Sequence, residues 1–224
     1  MSLRPDIPDT TAMDGAIDGA GRRPATHHNG RMSELLVWEP SLEHPELLAA
    51  PVLAALRQWP ATPGVSPATV GVNADADDVL VAEIDPALAD TAAFCERYGV
   101  SPAESANCVV IAARRGGETT YAACMVAATT RADVNGLVRR HLGARKASFA
   151  PVADVTTATG MEYGGITPIG LPEGWPVLVD AAVAKAEPVV IGSGIRGSKL
   201  RLPGRLLAGL PDAQVLDGLG IPAV

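Results

Sequence analysis

The sequence predicts an α+β fold built on a mixed, mostly antiparallel β-sheet with surrounding helices. Two observations carry this. Short runs rich in Val, Ile and Ala recur at 79–84, 108–113, 119–128, 177–180 and 188–192, and runs of that length and composition read as strands. Hairpins such as the Arg114–Glu118 turn take the place of regular strand–helix–strand crossovers, which favours this class over a doubly wound sheet. Apolar residues make up 47% of the 224-residue chain and aromatics only 4%. The core must therefore be built mainly from Ala, Val, Leu and Ile.

Taken in order, residues 1–31 are rich in Asp, Gly, Pro, Thr and Arg without apolar periodicity, and are expected to form a disordered tail. Residues 32–69 read as an N-terminal helical extension and linker. Within them Leu47, Leu48, Val52, Leu53 and Leu56 recur at helical steps, and Pro51 kinks or splits the helix. The stretch 59–67 has three prolines and a glycine and reads as a loop. Residues 70–224 form the main domain. After the 79–84 strand, Asp85 is an N-cap and Pro86 the first helical residue, with Gly99 as the stop. Ser101 caps a second short helix. Asp133 caps a third, with Val134, Leu137, Val138 and Leu142 on one face and Gly143 at its end. Asp154 opens a short helix ending at Gly160. A Leu200–Leu202 strand, a brief Leu206–Leu210 helix and the run Ala213–Leu216 complete the pattern.

Charge and cysteine usage narrow the function classes. The net charge is -7, split as -9 over residues 1–100 (6 Lys and Arg against 15 Asp and Glu) and +2 over residues 101–224 (12 against 10). An acidic chain is not a general nucleic-acid binder, because such binding rests on phosphate neutralisation, and DNA is not an expected partner. Local basic groups remain in the second half: Arg139, Arg140, Arg145 and Lys146, and separately Arg196, Lys199, Arg201 and Arg205. Either set is able to meet phosphates. Cys95, Cys108 and Cys124 form no CxxC pair, and His27, His28, His44 and His141 add no metal spacing. No metal and no cofactor is expected. The N-terminus lacks an apolar signal region, and no run is long enough for a membrane span. A cytoplasmic location fits these features.

The densest local signal is Met161–Pro172, with three glycines and two prolines in twelve residues. Gly permits close backbone approach and Pro fixes the chain. Such a loop either joins two elements tightly or presents backbone N–H and C=O groups to a small ligand. Gly192–Gly197 matches GxGxxG after a strand, but Lys199–Leu202 alternates like another strand where a dinucleotide fold needs a long helix. It reads as a glycine turn lining a cleft. Cys108, at the start of an apolar strand, reads as a buried inert thiol. No Ser/His/Asp arrangement stands out.

From Asp85 to Leu219 the order of these features resembles the YbaK/EbsC family, aminoacyl-tRNA deacylase domains related to the editing domain of prolyl-tRNA synthetase. The resemblance is carried by Tyr98-Gly99-Val100, Ser105-Ala106-Asn107-Cys108, Leu142-Gly143-Ala144-Arg145-Lys146, the loop Gly164-Gly165-Ile166-Thr167-Pro168-Ile169-Gly170, Val179-Asp180 and Gly192–Gly197. It implies a barrel-like sheet and hydrolysis of the ester joining an amino acid to tRNA, with the substrate's ribose hydroxyl helping to activate water. It implies contacts to the aminoacyl carbonyl from Gly164, Gly165, Ile166 and Thr167, with Pro168 holding the loop. Tyr163, Cys108, Gly192, Ser193, Gly194, Arg196 and Lys199 would line the substrate cleft. The family's lysine before the Val/Ile strand is Asn107 here, placed among the catalytic positions, and the acidic residue common near Lys199 is absent. The implied activity is trans-editing of mischarged tRNA bearing a small amino acid. The implied partners are the acceptor end of aminoacyl-tRNA and, further, a synthetase. Asn107 keeps open a non-catalytic module that binds aminoacyl-tRNA or a synthetase. The acidic charge keeps open a hydrolase of small aminoacyl compounds.

Overall fold

The computed structural model describes residues 36–59 and 78–223. The expected tail at 1–31 and most of the 59–67 loop lie outside those residues. Two sheets are built from short strands. The first contains β1 (Glu39–Pro40), β2 (Leu80–Glu83), β8 (Val189–Gly192) and β9 (Ser198–Leu202), in the order β1-β2-β9-β8 and antiparallel throughout. The second contains β3 (Ala106–Arg115), β4 (Glu118–Ala127), β6 (Lys146–Phe149), β7 (Val177–Asp180) and β10 (Ala213–Leu216), in the order β10-β7-β4-β3-β6. Here β7 runs parallel to both β4 and β10, so the sheet is mixed, as the sequence predicts. A small ribbon pairs β5 (Thr130–Ala132) with β11 (Gly220–Pro222).

The β3–β4 hairpin is tighter than expected. Arg115 pairs with Glu118, leaving Gly116 and Gly117 as a two-residue loop with φ of 62° and 91°. Two successive positive φ values match the twist of the flanking strands and suit glycine.

Several helices start where capping chemistry starts them. Asp85 accepts from Ala87 N–H at 2.8 Å and opens a short 3-10 turn, Pro86–Leu88. The expected continuous helix from Pro86 breaks there, because Asp90 accepts from Ala92 N–H and caps a new helix, Thr91–Tyr98. Asp133 receives Gly136 N–H at 3.0 Å and Leu137 N–H at 2.7 Å. The helix it caps opens as a wide π turn, Val134–Val138, before Arg139–His141. The helix expected to open at Asp154 runs Val152–Thr159, with Pro151 at its N-cap position. Asp154 sits in its first turn, where a carboxylate complements the helix dipole. Pro51 splits the N-terminal pattern into a 3-10 turn, Pro45–Leu47, and the helix Ala50–Arg57.

The two sheets share a core. Met125 and Val179 from the second sheet pack with Val81, Ile191, Leu200 and Leu202 from the first. Leu48, Val52 and Leu56 of the N-terminal segment join the same cluster. The sheets also meet at a Ser105–Val190 bridge. A second cluster lies between the second sheet and the Asp133-capped helix, through Ile111, Val138, Leu178 and Leu219. A third packs Phe94 and Cys95 against Val190 and Ile84, bringing the Thr91–Tyr98 helix onto the first sheet.

Candidate functional site

The predicted Gly/Pro loop and the predicted glycine turn form one backbone-lined unit. Gly194 N–H donates to Gly165 C=O at 2.7 Å, and Glu162 N–H donates to Gly194 C=O at 2.8 Å. Gly165 and Gly192 are required by closeness. A Cβ on Gly192 would meet the carbonyl oxygens of Gly165 and Ile166, and one on Gly165 would meet the backbone of Ile195. Side chains are thus excluded on both sides of the contact.

Within the loop, Gly165 N–H is taken by Glu162 C=O at 2.9 Å. Among the described residues, the N–H groups of Gly164, Ile166 and Thr167 have no partner. Thr167 and Pro168 are buried, and Thr167 Oγ1 also has no partner among the described residues. Tyr163 is 63% exposed at the loop's edge.

Two predicted cleft residues act on the protein's own backbone. Arg196 donates from Nη1 to Tyr163 C=O at 3.1 Å and from Nη2 to Pro86 C=O at 2.9 Å, while its N–H meets Glu162 Oε2. Its guanidinium ties the loop to the 86–89 turn. Ser193 is fully buried and its hydroxyl lies 2.7 Å from Ser198 Oγ. This pair holds the turn closed.

Lys199 is the unusual group. It sits opposite Gly192 in the β8–β9 ladder, so both share one face of the first sheet. The residue is 6% exposed. Its Nζ donates to Ala89 C=O at 2.8 Å and lies 5.4 Å from the Phe94 ring centroid. Among the described residues it has no carboxylate ion pair. Burial lowers its pKa from 10.5 to about 8, against a smaller raising effect from Cys95 and Asp90. A small cavity of about 10 Å³ beside it, room for about one water molecule, is lined by Thr91, Phe94, Ser105, Ala106, Val190 and Ile191. The Gly164 loop is near: a Cβ built there would sit 3.7 Å from the Ala89 methyl.

Asn107 is tied to this lining through Thr91. Its Oδ1 accepts from Thr91 Oγ1 at 2.6 Å. Cys108 packs against the main core, and burial drives its thiol pKa well above the ordinary range. Thr91, Ala89 and Phe94 were absent from the sequence-derived site. Their only signal was the Asp90-Thr91 pair, a second capping position hidden inside an otherwise continuous helical pattern. Among the described residues, no group of three or more His, Cys, Asp or Glu side chains is placed to hold a metal ion. Nor is any helix among them long and apolar enough to cross a membrane.

The two-sheet α+β frame is also what the comparisons with known proteins find. The chain belongs to the aminoacyl-tRNA editing domain family, whose model matches residues 85–210, more than half of its length. Solved structures with a similar fold include a candidate trans-editing enzyme for prolyl tRNA synthetase, at 20% identity and TM-score 0.55, covering 73% of this chain and 95% of that one. Another is a hypothetical protein at 18% identity and TM-score 0.58, covering 75% and 99% respectively. A third is a scaffold protein used for computational epitope grafting, at 21% identity and TM-score 0.58, covering 75% and 95%.

Proposed function

We propose that this protein is a trans-editing aminoacyl-tRNA deacylase that hydrolyses the ester of mischarged tRNA bearing a small amino acid. The observation that carries the reading is the Gly164–Thr167 backbone, with three N–H groups lacking a partner among the described residues, held against the Gly192–Gly194 turn. Donors of this kind stabilise the oxyanion that forms when water attacks an ester. Each is worth about 3–4 kcal/mol when fixed before the reaction. The substrate's ribose hydroxyl helps to activate the attacking water. Thr167 Oγ1, buried without a partner among the described residues, is a further contact for the aminoacyl group. Lys199 is the cation of the cleft. An ammonium has three N–H donors, one of which goes to Ala89. Cys108 does not act as a nucleophile, because its thiol is held protonated.

Asn107 favours a second reading, a binding module of the same fold without turnover. Its side chain offers hydrogen bonds but no charge, and one of them is already made with Thr91.

The test is hydrolysis of Ala-, Ser- and Cys-charged tRNA(Pro), with a wider panel of mischarged tRNAs, at low salt and with Asn107→Lys alongside. Turnover by the natural protein is the expected result. If every ester decays at its spontaneous rate, the enzyme reading fails. Turnover by Asn107→Lys alone would select the binding module.

A further inference from the structure

The fold gathers a second group of charges that the cleft does not use. Arg114 and Lys146 lie directly opposite each other in the β3–β6 ladder. Arg145 N–H donates to Arg114 C=O at 2.9 Å. Arg115 Nη1 donates to Gly143 C=O at 3.0 Å, fastening the hairpin tip to the end of the Arg139–His141 helix. Arg140 is on that helix, and its carbonyl accepts from Gly143 N–H at 3.0 Å. Three separate chain segments thus place Arg114, Arg115, Arg140, Arg145 and Lys146 at one end of the second sheet, all exposed. Among the described residues, no carboxylate forms an ion pair with any of them. Two carboxylates lie nearby: Glu118 stands opposite Arg115 in the β3–β4 ladder, and Asp154 already accepts from Tyr121 Oη at 3.0 Å.

This concentration is not explained by folding. Like charges directly opposite in a ladder are destabilising. Cations at a helix end complement its dipole, which accounts for Arg140 but not for Arg114, Arg145 or Lys146. The whole chain, moreover, carries a net charge of -7. A local excess of exposed cations on an acidic protein is complementary to a polyanion.

Its position relative to the cleft fits one polyanion. Asn107, beside the cleft, and Arg114 are on the same strand. At about 3.4 Å per residue they lie about 24 Å apart. A tRNA whose 3′ terminal ester occupies the cleft extends its unpaired end and then its acceptor stem over such a distance. We propose that the Arg114, Arg115, Arg140, Arg145 and Lys146 surface binds the phosphate backbone of the tRNA acceptor stem. This rests on the reading of the cleft as an aminoacyl-ester site.

The test replaces Arg114 and Lys146 together by Gln. Both are exposed and repel each other, so the double variant is expected to keep its thermal midpoint. Binding of uncharged tRNA is read by fluorescence anisotropy across a salt series, and hydrolysis of a 3′-aminoacyl-adenosine mimic is read in parallel. Arg57→Gln with Lys185→Gln, two exposed cations elsewhere, is the charge-matched control. The proposal expects tRNA affinity at low salt to fall about ten-fold or more in the patch variant. Its salt dependence is expected to be shallower by about one power of salt for each phosphate no longer neutralised. The mimic is expected to be hydrolysed as before. Unchanged tRNA affinity, an equal loss in the control, or no tRNA binding by the natural protein would each overturn the proposal. A natural protein that binds tRNA through the patch but leaves the mimic intact would keep the docking surface and remove the deacylase reading.

Discussion

Replacing Lys199 by Met removes a buried charge and keeps an unbranched side chain of similar reach. The ammonium's pKa falls from 10.5 to about 8 on folding, at about 1.4 kcal/mol per pH unit. Because the folded pKa is the lower one, the unfolded chain holds the proton more tightly. The folded state is therefore penalised at all pH values below about 8, and the penalty fades as pH rises towards 10.5. It amounts to about 3 kcal/mol at pH 7 and about 2 kcal/mol at pH 9. Met also leaves the Ala89 carbonyl without its donor, which costs about 1 kcal/mol. Lys199→Met is thus expected to be about 2 kcal/mol more stable than the natural protein at pH 7 and about 1 kcal/mol more stable at pH 9. Urea unfolding followed by tryptophan fluorescence at the two pH values measures this. The burial-raised thiols of Cys108 and Cys124 act in the opposite direction as pH rises, but both proteins contain them and the difference cancels them. A variant that is less stable at pH 7, or a gap that does not narrow at pH 9, would refute the cost assigned to the buried charge. A stabilised variant that loses ester hydrolysis would mark Lys199 as a residue kept for function against stability.

Gly192→Ala places a methyl group against the carbonyls of Gly165 and Ile166. It is expected to destabilise the protein by about 1–3 kcal/mol and to lower deacylation more than tRNA binding; hydrolysis retained at the natural rate would show that the loop's position is not critical. Cys108 is expected to resist iodoacetamide at pH 8 in the folded protein, because only the thiolate reacts. Alkylation at the rate of a free thiol, read by mass spectrometry, would contradict a thiol held in its protonated form against the core.

Local chemistry was the most legible part of the fold. Asp85, Ser101 and Asp133 each accept the N–H groups expected of a cap, and the hairpin between two apolar strands formed at its glycines. What escaped were elements defined by partners distant in sequence. Thr130–Ala132 is a strand only because Gly220–Pro222 lies beside it, and Lys146–Phe149 only because β3 offers its edge. Both segments are too short, at three and four residues, and too weakly apolar to mark a strand by themselves. The site followed the same division. The Gly/Pro loop and the glycine turn were visible as motifs, and their mutual packing completes the cleft. The direction of Lys199 was not visible, since it depends on its register opposite Gly192. Arg196 reads as a free cation in one dimension, but two carbonyls from separate segments occupy it.

The family match ends at residue 210, yet the chain continues as structure. β10 extends the second sheet alongside β7. Leu219 is fully buried in the cluster around Leu178 and Val138, its carbonyl accepts from Asp133 N–H, and Gly220 N–H reaches Asp180 Oδ2. A recombinant fragment trimmed to the matched region would lack a plug for that cluster and expose an apolar edge strand to self-association. The usable engineering boundary of this domain therefore falls beyond Pro222, and a fusion partner or protease site belongs after that residue rather than at the end of the recognisable motif.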